Sequence, residues 1–110
     1  MKVLVTGAGG YLGRGLIVPF EEHGYELRLM DVTPIESRHE TVLGSVADLD
    51  TVRRALDGCQ AMVIAHMASR QAAAYETPTM AFDVNVKGTA NLYFAAVEQG
   101  IRRAVLVSST

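Results

Sequence analysis

Val3-Leu4-Val5-Thr6-Gly7-Ala8-Gly9-Gly10-Tyr11-Leu12-Gly13 is the stretch whose reading decides the fold. Three apolar residues followed by Thr6-Gly7 describe a short strand buried on both faces, as in a parallel sheet. Glycines then stand at 7, 10 and 13. Each has a mechanical task if a pyrophosphate lies here: Gly7 allows a tight turn off the strand, Gly10 lets the backbone approach phosphate, and Gly13 lets the next helix pack closely on the sheet. The amino end of that helix offers unpaired N–H groups and a partial positive charge to the anion. A glycine triplet alone is weak evidence. The same triplet after a strand, at the start of a helix and ahead of an acid closing a second strand, Asp31, is specific.

Outward from that loop, strands and helices alternate. A helix is expected from about Gly10 to His23, with Leu12, Leu16, Ile17 and Phe20 at core-facing spacing and Gly24 as its stop. Pro19 inside it removes a backbone donor and is expected to kink the helix or shift its start. Glu26 to Met30 reads as a second strand ending at Asp31. A loop from Thr33 to Glu40 leads to a short third strand at Thr41-Val42-Leu43, so the crossover between these two strands is short or missing. Asp48 is placed to cap a helix through Leu56, with Val52, Ala55 and Leu56 on its inner face. Ala61 to Ala65 is a fourth, apolar strand. Thr77-Pro78 opens a long helix to about Gln99, terminated by Gly100. Ala104 to Val107 makes a fifth strand before Ser108-Ser109-Thr110. The alternation implies an α/β fold with a five-stranded, doubly wound parallel sheet.

A chain of 110 residues holds one compact domain. Apolar residues at 49% can supply its core, and 10 basic against 12 acidic residues leave a net charge of −2. With the charges interspersed and no basic stripe, a nucleic-acid partner is not expected; Arg53-Arg54 and Arg102-Arg103 read as solvated pairs. Cys59, the single cysteine, excludes an internal disulfide framework and suits a reducing, cytoplasmic setting as a buried, inert thiol. The first apolar run is too short for a signal peptide and no run reaches the length of a membrane span, so no membrane partner is expected. His23, His39 and His66 have no metal-ligand spacing with one another or with Cys59, and no metal site is expected.

At the end of strand two, Asp31 would accept hydrogen bonds from both adenosine ribose hydroxyls and would repel a 2′-phosphate. Like charges a few Å apart cost about 4 kcal/mol at an effective dielectric near 20. NAD is therefore the expected cofactor, in preference to NADP. Arg14 is the one nearby base that could soften this preference, and a solvated strand-end acid is the plainer reading of Asp31.

Three segments carry a resemblance that spans the chain. Thr6 to Gly13 has the spacing Thr-Gly-x-x-Gly-x-x-Gly, Asn85-Val86-Lys87-Gly88-Thr89 has Asn-x-x-Gly-Thr, and Gly100 to Ser109 is similar to a strand that delivers an active-site serine. Together they resemble the amino-terminal part of the extended short-chain dehydrogenases/reductases of the NAD-dependent epimerase/dehydratase kind. The resemblance implies a Rossmann-type NAD-binding domain over residues 1–110, incomplete because it stops before a sixth strand and a substrate-binding region. It implies that Gly7, Gly10, Tyr11, Leu12 and Gly13 meet the pyrophosphate, Asp31 and Val32 the adenosine ribose, and Ser45 and Val46 the adenine. Ala65, His66 and Met67 would line the nicotinamide-ribose side. Asn85 would support the proton relay, and Ser109 would hydrogen-bond the reacting hydroxyl or carbonyl, with Thr110 as its rival.

This chain departs from the pattern in three places. Where the resemblance leads one to expect Gly-Asp after strand three, Gly44-Ser45-Val46 stands, and Ser45 is a weaker acceptor for the adenine amine. Strand four, expected to end His-Leu-Ala, ends Ile64-Ala65-His66. The catalytic Tyr-x-x-x-Lys pair, in which the lysine lowers the tyrosine pKa for general acid–base work, does not occur. The residues four beyond Tyr11, Tyr25, Tyr75 and Tyr93 are Gly15, Leu29, Thr79 and Val97.

The leading expectation is an enzyme in the parent protein that oxidises a secondary alcohol on a sugar or sugar nucleotide, with epimerisation or dehydration following. The resemblance also allows a homodimer of that protein. The alternatives are a plain NAD-dependent dehydrogenase of uronates or hydroxysteroids, and a non-catalytic dinucleotide-sensing module. The 110 residues alone are expected to be inactive, with strand five an open, apolar sheet edge.

Overall fold

In β1, Val3 and Val5 face one way and Leu4 the other, and all three are buried, so the strand needs a layer of helices on each side. A computed structural model describing residues 1–66 and 78–107 contains that arrangement. Strands β1 (Lys2–Thr6), β2 (Glu26–Asp31), β3 (Glu40–Leu43), β4 (Ala61–Ile64) and β5 (Arg103–Leu106) form one parallel sheet in the order β3-β2-β1-β4-β5. Helix α1 (Tyr11–Glu22) follows β1, α2 (Leu49–Leu56) follows β3, and α3 (Pro78–Phe82) and α4 (Gly88–Glu98), joined by a π-helical turn (Asp83–Lys87), lie between β4 and β5. The chain runs outward from β1 to β3, then returns to β4 on the other side of β1. That reversal is the topological switch point of a doubly wound sheet.

One face of the sheet packs Val3, Val5, Leu27, Leu29 and Val63 against Leu16, Ile17 and Phe20 of α1. The other packs Leu4, Met30, Met62 and Ile64 against Val52, Ala55 and Leu56 of α2 and Leu92, Ala95 and Ala96 of α4. As expected, no helix separates β2 from β3, and Asp48 caps α2 by accepting from the Asp50 N–H and the Thr51 hydroxyl. Cys59 is buried, and burial pushes its thiol pKa up. Helices α1 and α4 both end by returning paired N–H groups to their last turns, Gly24 to Glu21 with Tyr25 to Phe20, and Gly100 to Val97 with Ile101 to Ala96.

Three expectations are corrected. Leu12 is not a core residue; it is 42% exposed, because the inward stripe of α1 starts at Gly13 and continues through Leu16, Ile17 and Phe20. Pro19 does not shift the start of α1, which begins at Tyr11 with Gly10 as its N-cap; Pro19 and Gly15, four residues before it, both lie on the exposed side, where water can serve the carbonyl left without a donor. The long helix from Pro78 is not uniform. Over Asp83–Lys87 it widens, and the Gly88 N–H reaches back five residues to the Asp83 carbonyl. At the sheet's edge β5 exposes all four of its side chains, as expected.

Gly13 packs directly against main chain. A Cβ there would strike the Gly7 carbonyl oxygen and lie 2.8 Å from Ala8 Cα, so two backbones would have to separate. We expect Gly13→Ala to cost roughly 1–3 kcal/mol of stability, read as a lower urea midpoint. An unchanged midpoint would contradict this packing.

Candidate functional site

Because every strand is parallel, the carboxyl ends of β1, β2 and β4 lie along one edge, with Thr6 level with Met30 and with Ile64. The glycine loop leaves β1 at this edge. Gly7 adopts φ of +65°, and the Gly10 N–H closes the turn on the Gly7 carbonyl at 3.0 Å. A Cβ at Gly7 would lie 2.6 Å from His66 Cα and 2.8 Å from the Ala65 carbonyl oxygen. The loop is therefore pressed against the segment that follows β4. Gly10, the N-cap of α1, supplies no side-chain cap, so the first-turn N–H groups of this 12-residue helix depend on other acceptors. At Gly10 itself a Cβ would meet, among the described residues, only the Gly7 carbonyl oxygen, at 3.3 Å. Packing asks much less of Gly10 than of Gly7 or Gly13.

Asp31 closes β2 beside the loop. Its Oδ2 accepts the Gly9 N–H at 2.9 Å, and its Oδ1 accepts the N–H and hydroxyl of Thr33, both at 3.1 Å. A carboxylate has about four lone-pair sites, so acceptor capacity remains. Asp31 is thus not the loosely solvated strand-end acid of the plainer reading. Gly9 and Thr33 also line an open cleft with Ala8, Arg14, Ile17 and Ser37. The sequence reading missed both of them. The Asp-x-Thr spacing is the signal that could have found Thr33, because a carboxylate commonly bonds the backbone two residues on.

The other expected site residues divide. Tyr11 and Leu12 begin α1 with exposed side chains, at positions where only their backbone would face an anion at the helix end. Val32 is exposed next to Asp31. Ser45 Oγ accepts the Ala47 N–H at 3.1 Å, in the turn leading to α2. The Val46 side chain is buried in the core against Gly88, and its carbonyl accepts from Asn91 Nδ2 at 3.0 Å. Ala65 and His66 adjoin the glycine loop through their backbones. Asn85 lies in the π-helical turn, exposed, and its carbonyl accepts the Thr89 hydroxyl at 2.8 Å. Met67, Ser109 and Thr110 lie outside the described residues. Among the described residues there is no cluster of His, Cys, Asp and Glu fit for a metal, and no helix is long and apolar enough to cross a membrane.

His66 has both ring nitrogens engaged. Nε2 lies 3.0 Å from the Val84 carbonyl oxygen, and Nδ1 lies 3.0 Å from Thr6 Oγ1. A carbonyl only accepts, so Nε2 carries the proton and Nδ1 accepts from the Thr6 hydroxyl, which in turn accepts the Ala65 N–H at 3.2 Å. Burial holds the His66 pKa below the ordinary value of 6.5, against the opposing pull of the Val84 carbonyl. The folded chain therefore takes up this proton less readily than the unfolded chain. The resulting stability is present above pH 6.5 and is lost as pH falls through that value toward the lower folded-state pKa. Between pH 7.5 and 5.5, His66→Gln should lose less melting temperature than the native chain; equal losses would contradict the burial of a neutral imidazole.

Known proteins share this fold. The profile of the NAD dependent epimerase/dehydratase family matches residues 3–110. A 3-beta-hydroxysteroid dehydrogenase of Mycolicibacterium neoaurum is 30% identical over 98% of this chain and 32% of its own length. Among solved structures, a short-chain dehydrogenase/reductase superfamily protein from Agrobacterium tumefaciens with bound NAD superposes with a TM-score of 0.88, at 33% identity over 99% of this chain and 33% of that one. Uronate dehydrogenase from the same organism superposes with a TM-score of 0.85, at 32% identity over 98% of this chain and 40% of that one. The chain spans about a third of the length of the curated relatives it matches. It belongs to the NAD dependent epimerase/dehydratase family.

Proposed function

We propose that this chain is the NAD-binding portion of an oxidoreductase that acts on a secondary alcohol of a sugar or sugar nucleotide. The observation that carries the reading is Asp31, a carboxylate oriented by the glycine loop itself and by Thr33 at the end of β2. The cradle fits the cofactor in two further respects. The uncapped start of α1 suits a pyrophosphate, and Gly10 has a backbone open to close approach. Gly7, Gly10 and Gly13, with the backbones of Tyr11 and Leu12, would hold the pyrophosphate, and Asp31 beside Val32 the adenosine ribose. Ser45 and the Val46 backbone would stand at the adenine, and Ala65, the backbone of His66 and Met67 on the nicotinamide-ribose side. NAD supplies the hydride acceptor in such chemistry. Ser109, or Thr110 in its place, would orient the reacting hydroxyl, and Asn85 would support the proton relay.

A second reading, a plain dehydrogenase of uronates or hydroxysteroids, is favoured by the relatives named above, two of which are dehydrogenases of those kinds. The two readings share the cofactor site and part only at the substrate. A cytoplasmic setting and a homodimer of the whole protein belong to the same proposal.

Asp31→Ala removes a charged acceptor contributing roughly 1.5–3 kcal/mol, so NAD affinity should fall about tenfold or more. NADP should lose less, or gain, because the repulsion of its 2′-phosphate disappears with the charge. Calorimetry of both cofactors decides this, and an equal loss for the two would sink the ribose assignment. Gly10→Ala makes a contrasting test, since its Cβ meets so little of the protein. Stability should stay within about 1 kcal/mol of the native chain, while NAD affinity drops because a methyl group occupies the approach to phosphate. Undiminished affinity would refute the phosphate loop.

A further inference from the structure

The His66 imidazole bridges two elements that the chain keeps apart, the carboxyl end of β1 through Thr6 and the π-helical turn through the Val84 carbonyl. The backbone of the same residue lies against Gly7, so one residue touches the glycine loop, β1 and the turn that carries Asn85. A π-helical turn holds one residue more than the α-helix around it and is rarely stable on its own. Relaxing it to α-helical bonding would rotate the residues on one side by about 100°, the angle per residue of an α-helix. Asn85, next in sequence to Val84, would move with it. The Thr89 hydroxyl, 3.4 Å from His66 Nε2, bonds the Asn85 carbonyl from the following turn, so the imidazole stands over both sides of the widened segment.

We infer that His66 is a positioning residue: as the Nε2–H tautomer it pins the π-helical turn to the end of β1 and so sets where Asn85 stands relative to the glycine loop. Its effect on turnover rests on the functional reading above, whereas the pinning rests on geometry alone. The resemblance placed His66 beside the nicotinamide ribose; here its ring nitrogens are committed to the protein.

Two kinds of measurement separate these layers. In the first, ¹⁵N-histidine spectra of the native chain near neutral pH should give the signature of a proton on Nε2 and none on Nδ1. The opposite tautomer, or a rapidly averaging mixture, overturns the inference without any variant needing to fold. Amide exchange then follows Gly88, whose N–H bonds Asp83 across the turn. His66→Phe keeps a planar ring and removes both bonds, and should speed this exchange by roughly tenfold, the equivalent of one hydrogen bond. His66→Gln retains an N–H donor and should restore it. In the second, the whole protein is assayed for NAD-dependent turnover. His66→Phe should lower kcat by about tenfold to a hundredfold, as expected for a misplaced group, with the Kd for NAD changed by no more than about threefold, and His66→Gln should recover most of the rate. Parallel losses in kcat and NAD affinity, or unchanged exchange in His66→Phe, overturn the pinning role. If Asp31→Ala leaves NAD affinity untouched, the cofactor reading fails by itself, and the tautomer and exchange measurements still judge His66.

Discussion

The carboxyl edge of the sheet depends on backbone meeting backbone with no side chain between. Gly7 turns against the Ala65–His66 segment, and Gly13 brings the first turn of α1 down on Gly7 and Ala8. Dispersion and steric exclusion at these contacts permit one arrangement, because a single added methyl group would have to push main chain rather than rotate away. Three things follow from that closeness. The uncapped start of α1 sits at the switch point of the sheet, the Gly9 N–H reaches the Asp31 carboxylate, and the end of β4 is held beside the loop.

The amino edge is held in a different way. Arg28, buried in β2, donates to the carbonyls of Ala55 and Asp57 where α2 ends, at 2.7 and 2.6 Å, and pairs with Glu40 at the start of β3. Glu40 in turn takes Lys2 at the start of β1, and the hydrogen bond from Lys2, then that from Arg28, holds its carboxyl below the usual range. A guanidinium can satisfy several carbonyls at once, which makes it suited to the carbonyl-rich end of a helix. The charges that fasten the fold are therefore gathered away from the glycine loop. Near the loop, among the described residues, Asp31 is bonded to an amide and a threonine and to no cation, which leaves its charge available to a ligand.

Much of this was legible in the sequence, because local rules and the fold agree there. The glycine spacing, the short β2–β3 connection, the Asp48 cap and the placing of Asp31 at a strand end each follow from chain-local chemistry. The misreadings also have local causes. Leu12 has helical spacing with Leu16, but glycine, which carries no hydrophobic signal, marks the true line of contact at Gly13. Pro19 reads as a cause to shift the start of α1 only while its exposure is unknown. Arg28 has no local signal of its role, because its carbonyl partners at the end of α2 lie far along the chain.

By itself the sequence determined the element order, the doubly wound parallel class and the glycine turn that opens α1 without a side-chain cap, since these rest on periodicity, on glycine geometry and on helix-end polarity. Tertiary structure alone decided the rest. It widened the helix at Asp83–Lys87, turned His66 inward to Thr6 and Val84, and made Val46 a packing partner of Gly88. The physical reason is the same in each case. A π-helical turn, a histidine tautomer and a close helix–loop contact are each set by a partner distant along the chain, and no window of neighbouring residues contains that partner.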